Sequence, residues 1–207
     1  MVGTGSLILT VQQQLQQTFT NLELTGIDNN EDQLVFASVF ARLLHVNLSL
    51  AHQDALTPWL LPHPVAMVVA DLPVGYYPVD SRAQKFDLHA QSGHSYAHYL
   101  LLEQSINALA PGGWGVFVVP ANLLTSRAAS SLLAWLTKNA YLQISLTLPQ
   151  TLFQDEAAAK ALIVVQKHGA NAHQAKQVLL AKAPDMSKLA DSQQFSQQLQ
   201  LWAQENM

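Results

Sequence analysis

The stretch VAMVVADLPVGYYP, Val65–Pro78, joins two unlike patterns. Val65–Ala70 is an unbroken apolar run, the mark of a strand covered on both faces. Asp71 stands at its tip, followed by prolines, a glycine and two tyrosines. Proline fixes φ, so neighbouring carbonyls are held in one direction. A carboxylate and a carbonyl together accept from a planar amino group, and a tyrosine stacks on the ring that carries it. The same composition also reads as a rigid loop with its tyrosines in the core. The polar stretch Asp71–Gly93 is long for a connection, and long loops are often functional. With few apolar anchors expected in it, Tyr76–Gly93 is expected to be mobile.

Strand and helix patterns alternate on both sides of this stretch. Upstream, Ser6–Phe19 reads as a helix, Leu22–Ile27 as a strand, Glu31–Leu44 as a helix and Val46–Leu50 as a strand. Downstream come a helix over Tyr96–Leu109, stopped by Pro111-Gly112-Gly113, and a strand over Trp114–Val119. A helix over Leu123–Asn139 and strands over Tyr141–Leu148 and Ala161–Lys167 follow. Val178–Ala183 reads as an edge strand, and Met186–Glu205 as a Gln-rich helix or frayed tail. This order predicts an α/β fold, Rossmann-like, with a mostly parallel sheet and helices on both faces. Ligands of such sheets bind beyond the carboxyl ends of the strands.

Composition narrows the function classes. Apolar residues are 49% of the 207 and charged residues only 12%, which predicts a folded body. Ten Lys+Arg against 14 Asp+Glu give a net charge of −4, unlike a chain that coats nucleic acid electrostatically. The absence of cysteine excludes disulfides, thiolate metal sites and a Cys nucleophile. No apolar run approaches the roughly 20 residues of a membrane helix. The first ten residues carry no Lys or Arg, so no secretory leader and a cytoplasmic location are expected.

Four places sit where the fold would put a ligand. Gly3-Thr4-Gly5 leads into a helix, whose N-terminus favours negative charge; the same residues also read as a plain turn. Asp28 ends a strand at about the 20-residue spacing from the glycines at which an acid grips ribose hydroxyls. Alternatively Asp28 or Asn29 caps the next helix. In Gln53-Asp54-Ala55 the acid either accepts from an adenine amine or serves a turn. Asp71 opens the fourth place. His94 and His98, with Glu103, make a poor metal set; capping and packing account for them better, and no metal is expected.

In this order the four places resemble the class I S-adenosylmethionine-dependent methyltransferases, and within them the amino-group branch, the N6-adenine DNA methyltransferase-like proteins. Gly3-Thr4-Gly5-Ser6-Leu7 is similar to the end of that family's D-P-x-x-G-T-G loop. Gly26-Ile27-Asp28-Asn29 is similar to its acidic strand end, and Gln53-Asp54-Ala55 to the segment beside the cofactor adenine. Asp71-Leu72-Pro73-Val74 stands where the family has [DNS]-P-P-[YFW]. The hairpin from Leu148-Pro149 through Lys160 to Lys167 resembles its closing hairpin. Leu72 replaces a proline and Val74 the stacking aromatic, so Tyr76 or Tyr77 is expected to stack instead.

The resemblance implies S-adenosyl-L-methionine as cofactor, held by Gly3, Thr4, Gly5, Asp28, Asn29, Asp54, Ala55 and Asp71. It implies methyl transfer to an exocyclic amine such as adenine N6 in DNA, with Asp71, Leu72, Pro73, Tyr76 and Tyr77 on the acceptor side. DNA or another nucleic acid is the implied partner, reached through other polypeptide; a homo-oligomer is also expected, and no membrane. The rival is a non-catalytic nucleotide-binding or protein-interaction module on the same fold. A catalytic domain over residues 1–183 and a helical tail over 184–207 are expected. The family also has a strand before the glycine loop, while this sequence starts within the loop. That central strand and a preceding helical region are therefore expected to be missing. The strands Leu22–Ile27 and Val65–Ala70 would then have open edges, and the chain would be marginal and prone to self-association.

Overall fold

The structure, a computed structural model, describes residues 1–59, 61–126 and 128–207. The elements run α1 (Ser6–Leu15), β1 (Leu24–Asp28), α2 (Glu31–Leu43), β2 (Leu48–His52), β3 (Val65–Asp71), α3 (Asp80–Ala83) and α4 (Ala97–Ala108). They continue with β4 (Leu109–Pro120), α5 (Ala129–Asn139), β5 (Ala140–Thr147), β6 (Lys160–Lys167), β7 (Leu179–Lys182) and α6 (Leu189–Asn206). The alternation read from the sequence is therefore present. Two helices are clearly shorter than expected: α1 ends at Leu15 rather than Phe19, and α5 starts at Ala129 rather than Leu123. Pro120 ends the strand before it, and the carbonyl of Asn122 takes the Ser126 amide and the Thr125 hydroxyl in a local turn.

The strands form two sheets. β1 pairs with β2, and the second sheet runs β3-β4-β6-β5-β7. The pairs β1–β2, β3–β4 and β5–β7 are parallel. β6 is antiparallel to both its neighbours because it returns from β5 as a hairpin. β4 and β6 lie inside the larger sheet, and Phe117, Val119, Ile163 and Val165 from them are fully buried. Each such side chain contributes about 2 kcal/mol by leaving water. Leu100, Leu102 and Ile106 of α4 belong to the same core, which also takes in Leu72, the residue after β3.

Both sheets present an open strand edge. β1 and β3 are terminal in their sheets, and an apolar cavity of about 530 Å³ lies between them. It is lined by Leu24 and Ile27 of β1, Val65 and Met67 of β3, and Leu7 and Val11 of α1. Only the Val2 amide reaches this edge of β1 among the described residues, donating to the Ile27 carbonyl at 2.9 Å. The cavity forms a slot between the two sheets.

α2 is apolar almost all round. Leu34, Ala37 and Ala41 are buried, while Val35, Phe36, Val39, Phe40 and Leu43 lie exposed. α6 is docked rather than frayed: Asn206 accepts from the Gln177 amide at 3.0 Å, and Trp202 donates to the Gln177 carbonyl at 3.0 Å. Among the described residues, no helix is long and apolar enough to cross a membrane.

Candidate functional site

The tips of β1, β2 and β3 carry the residues singled out from the sequence. Gly3 and Gly5 both have positive φ, 56° and 80°, so the chain can turn sharply into α1. A Cβ on Gly5 would meet the Ala37 Cβ at 3.2 Å, so the turn also needs glycine to pack against α2. The Gly3 amide donates to Asp28 Oδ2 at 2.9 Å, and the Met1 amino group reaches the same oxygen at 2.6 Å. The Asn30 amide donates to Oδ1 at 3.0 Å. Burial alone would raise the Asp28 pKa, but these bonds outweigh it and hold the carboxyl below its ordinary value. The cap of α2 is neither Asp28 nor Asn29. Asn30 does this, its side chain accepting from the Gln33 amide at 3.1 Å. The Asp28 carboxylate is therefore left facing the glycine turn.

Asp54 follows β2, whose tip is tied to that of β1 by the Gln53 amide on the Asp28 carbonyl. The Asp54 carboxylate accepts from the Leu56 amide, the Tyr77 hydroxyl and Arg82. Ala55 is buried, and its carbonyl accepts from the Trp59 indole at 2.7 Å. Among the described residues the two sheets share no strand pairing, so Asp54–Tyr77–Arg82 is one of the links that join them at this end. Gln104 of α4 on the Thr57 carbonyl, at 3.1 Å, is another.

Asp71 is exposed at the tip of β3, and Lys160 of β6 donates to its Oδ1 at 2.6 Å. Leu72 is fully buried, with its amide on the Val118 carbonyl at 2.9 Å. Pro73 and Val74 are exposed. The chain then pairs with the segment before α4: Tyr77 donates to Ser95, and Ala97 to Gly75. Tyr76 and Tyr96 face each other across this short ladder, their rings stacked at 4.9 Å.

Two expectations need correction here. Tyr77 is not a free stacking ring: it is 8% exposed and its hydroxyl is bound to Asp54. Burial, then that carboxylate, pushes its phenol pKa up. Tyr76, 61% exposed, is the tyrosine with an open face. Nor does the stretch after Asp71 lack apolar anchors. Leu72, Tyr77, Ala83, Phe86 and Leu88 are all buried in it. Glu103, buried on α4, also accepts from the Asp87 and Leu88 amides at 3.0 and 2.8 Å.

The histidines and Glu103 do not converge. His94 is exposed and lies 3.0 Å from Asp80. His98 is buried among Tyr96 and Tyr99, and its Nδ1 has no partner among the described residues. Burial lowers its pKa to about 4, against a weaker upward pull from the Pro73 carbonyl, so it is neutral at pH 7. Lys160, Arg82, Tyr96 and His98 hold site residues in place, and the sequence gives none of them that part. Lys160 merely opens an apolar strand, and its approach to Asp71 depends on strand order.

A family model described as N-6 DNA Methylase matches residues 1–204. The uncharacterized protein YtxK of Bacillus subtilis (strain 168) is 39% identical over 186 residues, which is 90% of this chain and 56% of that protein. A crystal structure from Listeria monocytogenes, provisionally described as a class I S-adenosylmethionine-dependent methyltransferase, matches at 31% identity and a TM-score of 0.88. The match covers 97% of this chain and 62% of that one. The methyltransferase subunit of a type I restriction-modification system from Streptococcus thermophilus matches at 16% identity and a TM-score of 0.74. It covers 100% of this chain and 47% of that one, and its likeness is one of fold. The chain thus spans a little over half the length of YtxK.

Proposed function

Because the chain belongs to the N-6 DNA methylase family, we propose that it takes part in S-adenosylmethionine-dependent methyl transfer to an exocyclic amino nitrogen, adenine N6 in DNA being the first candidate. One observation carries this reading: two carboxylates stand at strand tips in different settings. Asp28 is buried against the Gly3 turn, and Asp71 is exposed where β3 ends.

The donor set fits the cofactor. A carboxylate offers about four lone-pair sites. Asp28 has three hydrogen bonds, one of them from the Met1 amino group. A ribose hydroxyl takes the remaining site. Gly3, Thr4 and Gly5 present backbone at the helix start, and Asn29 continues the ribose side. Asp54, with three bonds of its own, keeps one site for an adenine amino hydrogen beside Ala55.

S-adenosylmethionine supplies a methyl group whose bonding electron pair stays on sulfur as the new nitrogen–carbon bond forms. The residues of the chain do the rest by placement, which supplies most of the rate in such a reaction. Asp71 and the Leu72 carbonyl accept the two amino hydrogens and aim the nitrogen lone pair. Pro73 stiffens the loop, and Tyr76, stacked on Tyr96, meets the ring. Tyr77 fixes the wall through Asp54. The proton that nitrogen loses leaves through Asp71 to solvent. A base in a duplex must first be flipped out, at a cost of a few kcal/mol. A net charge of −4 offers little attraction for DNA, so that affinity is assigned to polypeptide outside these residues or to a partner.

Asp71→Ala tests the reading. It is expected to abolish methylation of an adenine-containing duplex while leaving cofactor affinity, measured by calorimetry, nearly intact. A large loss of affinity in a folded variant would move Asp71 to the cofactor side, and undiminished methylation would remove it from the mechanism. A second reading, a non-catalytic module of the same fold, is favoured by Val74, 65% exposed, at a position where the resemblance keeps an aromatic. It predicts cofactor binding with no transfer.

A further inference from the structure

Lys160 and Asp71 come from strands that are not neighbours. In the order β3-β4-β6, Asp71 lies opposite Val118 of β4, and Lys160 opposite Pro120 of the same strand. Two strand spacings are about 10 Å, so only a long side chain can cross β4 to reach the tip of β3. The lysine side chain is 25% exposed, and its Nζ is 2.6 Å from Asp71 Oδ1. The Asp71 side chain is 55% exposed, and its Oδ2 has no hydrogen-bond partner among the described residues.

We propose that Lys160 is a positioning residue for the methyl acceptor: by binding Oδ1 it sets the rotation of the Asp71 carboxylate and leaves Oδ2 as the oxygen that receives one amino hydrogen. The proposal rests on the methyl-transfer reading above. Without the lysine, an exposed aspartate at a strand tip samples several rotamers, and each amine must wait for the productive one. With it, one oxygen is held and the other is presented. Leu72 serves the second amino hydrogen from a backbone already fixed by burial and by the Val118 carbonyl. An exposed ion pair contributes only about 0–1 kcal/mol to stability. Loss of this contact should therefore appear in turnover rather than in folding.

The test compares Lys160→Met, Lys160→Arg, Asp71→Asn and the Lys160→Met/Asp71→Asn double variant. The probe is methyl-labelled S-adenosylmethionine with an adenine-containing duplex oligonucleotide, and cofactor affinity is measured separately. Lys160→Met is expected to lower kcat by about tenfold or more while cofactor affinity stays within about twofold. Lys160→Arg should recover most of the loss. The double variant should be no slower than Asp71→Asn, because the lysine acts only through that carboxylate. Wild-type kcat in Lys160→Met, or losses that multiply in the double variant, would overturn the positioning role alone. A wild-type chain that binds cofactor but methylates nothing would overturn the acceptor reading, and this proposal with it.

Discussion

Asp28 is kept as an anion by three hydrogen bonds despite its burial, which suits it to hold hydroxyls. Asp28→Ala is expected to weaken S-adenosylmethionine binding at least about tenfold, or about 1.4 kcal/mol. Titration calorimetry checks this, and unchanged affinity would remove Asp28 from the cofactor side. His98 is the opposite case, held neutral because burial lowers its pKa from 6.5 to about 4. Between those values the unfolded chain binds a proton that the native chain does not, so stability falls as pH drops. The contribution is complete above pH 6.5 and lost toward pH 4. It amounts to about 2 kcal/mol between pH 7 and pH 5. Urea melts at the two pH values should show this fall, and His98→Asn should flatten it. Glu103, raised by burial, acts in the opposite direction, and comparison with the variant cancels it. Asp28 and Asp71 were legible in sequence because each ends a recognisable strand. His98 was not, because a histidine four places from another says nothing about its burial.

At the scale of elements, the segment between β3 and α4 departs most from its expected character. It is polar in composition, yet its few apolar residues point into the core. The carboxylate of Glu103 also replaces the strand partners that the Asp87 and Leu88 amides lack. Glu103→Ala leaves both amides unsatisfied, at about 1–3 kcal/mol each. Hydrogen exchange at Asp87 and Leu88 should accelerate in that variant, while β4 and β6 stay protected. Equal protection would mean that Phe86 and Leu88 hold the segment without the carboxylate. Composition misled here because mobility depends on which residues are anchored, not on how many are polar. The strands were easier to read: β3 and β6 are short, apolar and bounded, and they lie within a residue of their expected positions.

For the whole molecule, the slot between β1 and β3 and the apolar outer face of α2 are the exposed liabilities. In a parallel strand, the N–H and C=O of one residue point to the same neighbour. The Ile27 carbonyl faces Val2, whereas the Asp28 carbonyl faces Gln53 beyond β2. By that alternation the Thr25 amide faces the slot. An open edge of this kind invites pairing with another chain, so self-association is expected. Thr25→Pro removes an edge donor without touching the ladder to β2. Light scattering should show smaller assemblies for Thr25→Pro than for the wild type at equal concentration. Equal assembly would shift the cause to the α2 face, where Phe36 and Phe40 are exposed.

The sequence by itself determined the α/β class, the order of nearly every element and the acids at the strand tips. These follow from local periodicity and from the residue types that end strands. The tertiary structure decided which groups meet: Lys160 with Asp71 across β4, Tyr77 and Arg82 with Asp54, and Glu103 with two loop amides. It also chose Tyr76 over Tyr77 as the open ring and left Val35, Phe36, Val39, Phe40 and Leu43 of α2 exposed. Strand order and helix packing set those contacts. They join residues as many as 89 positions apart, a distance over which periodicity carries no information.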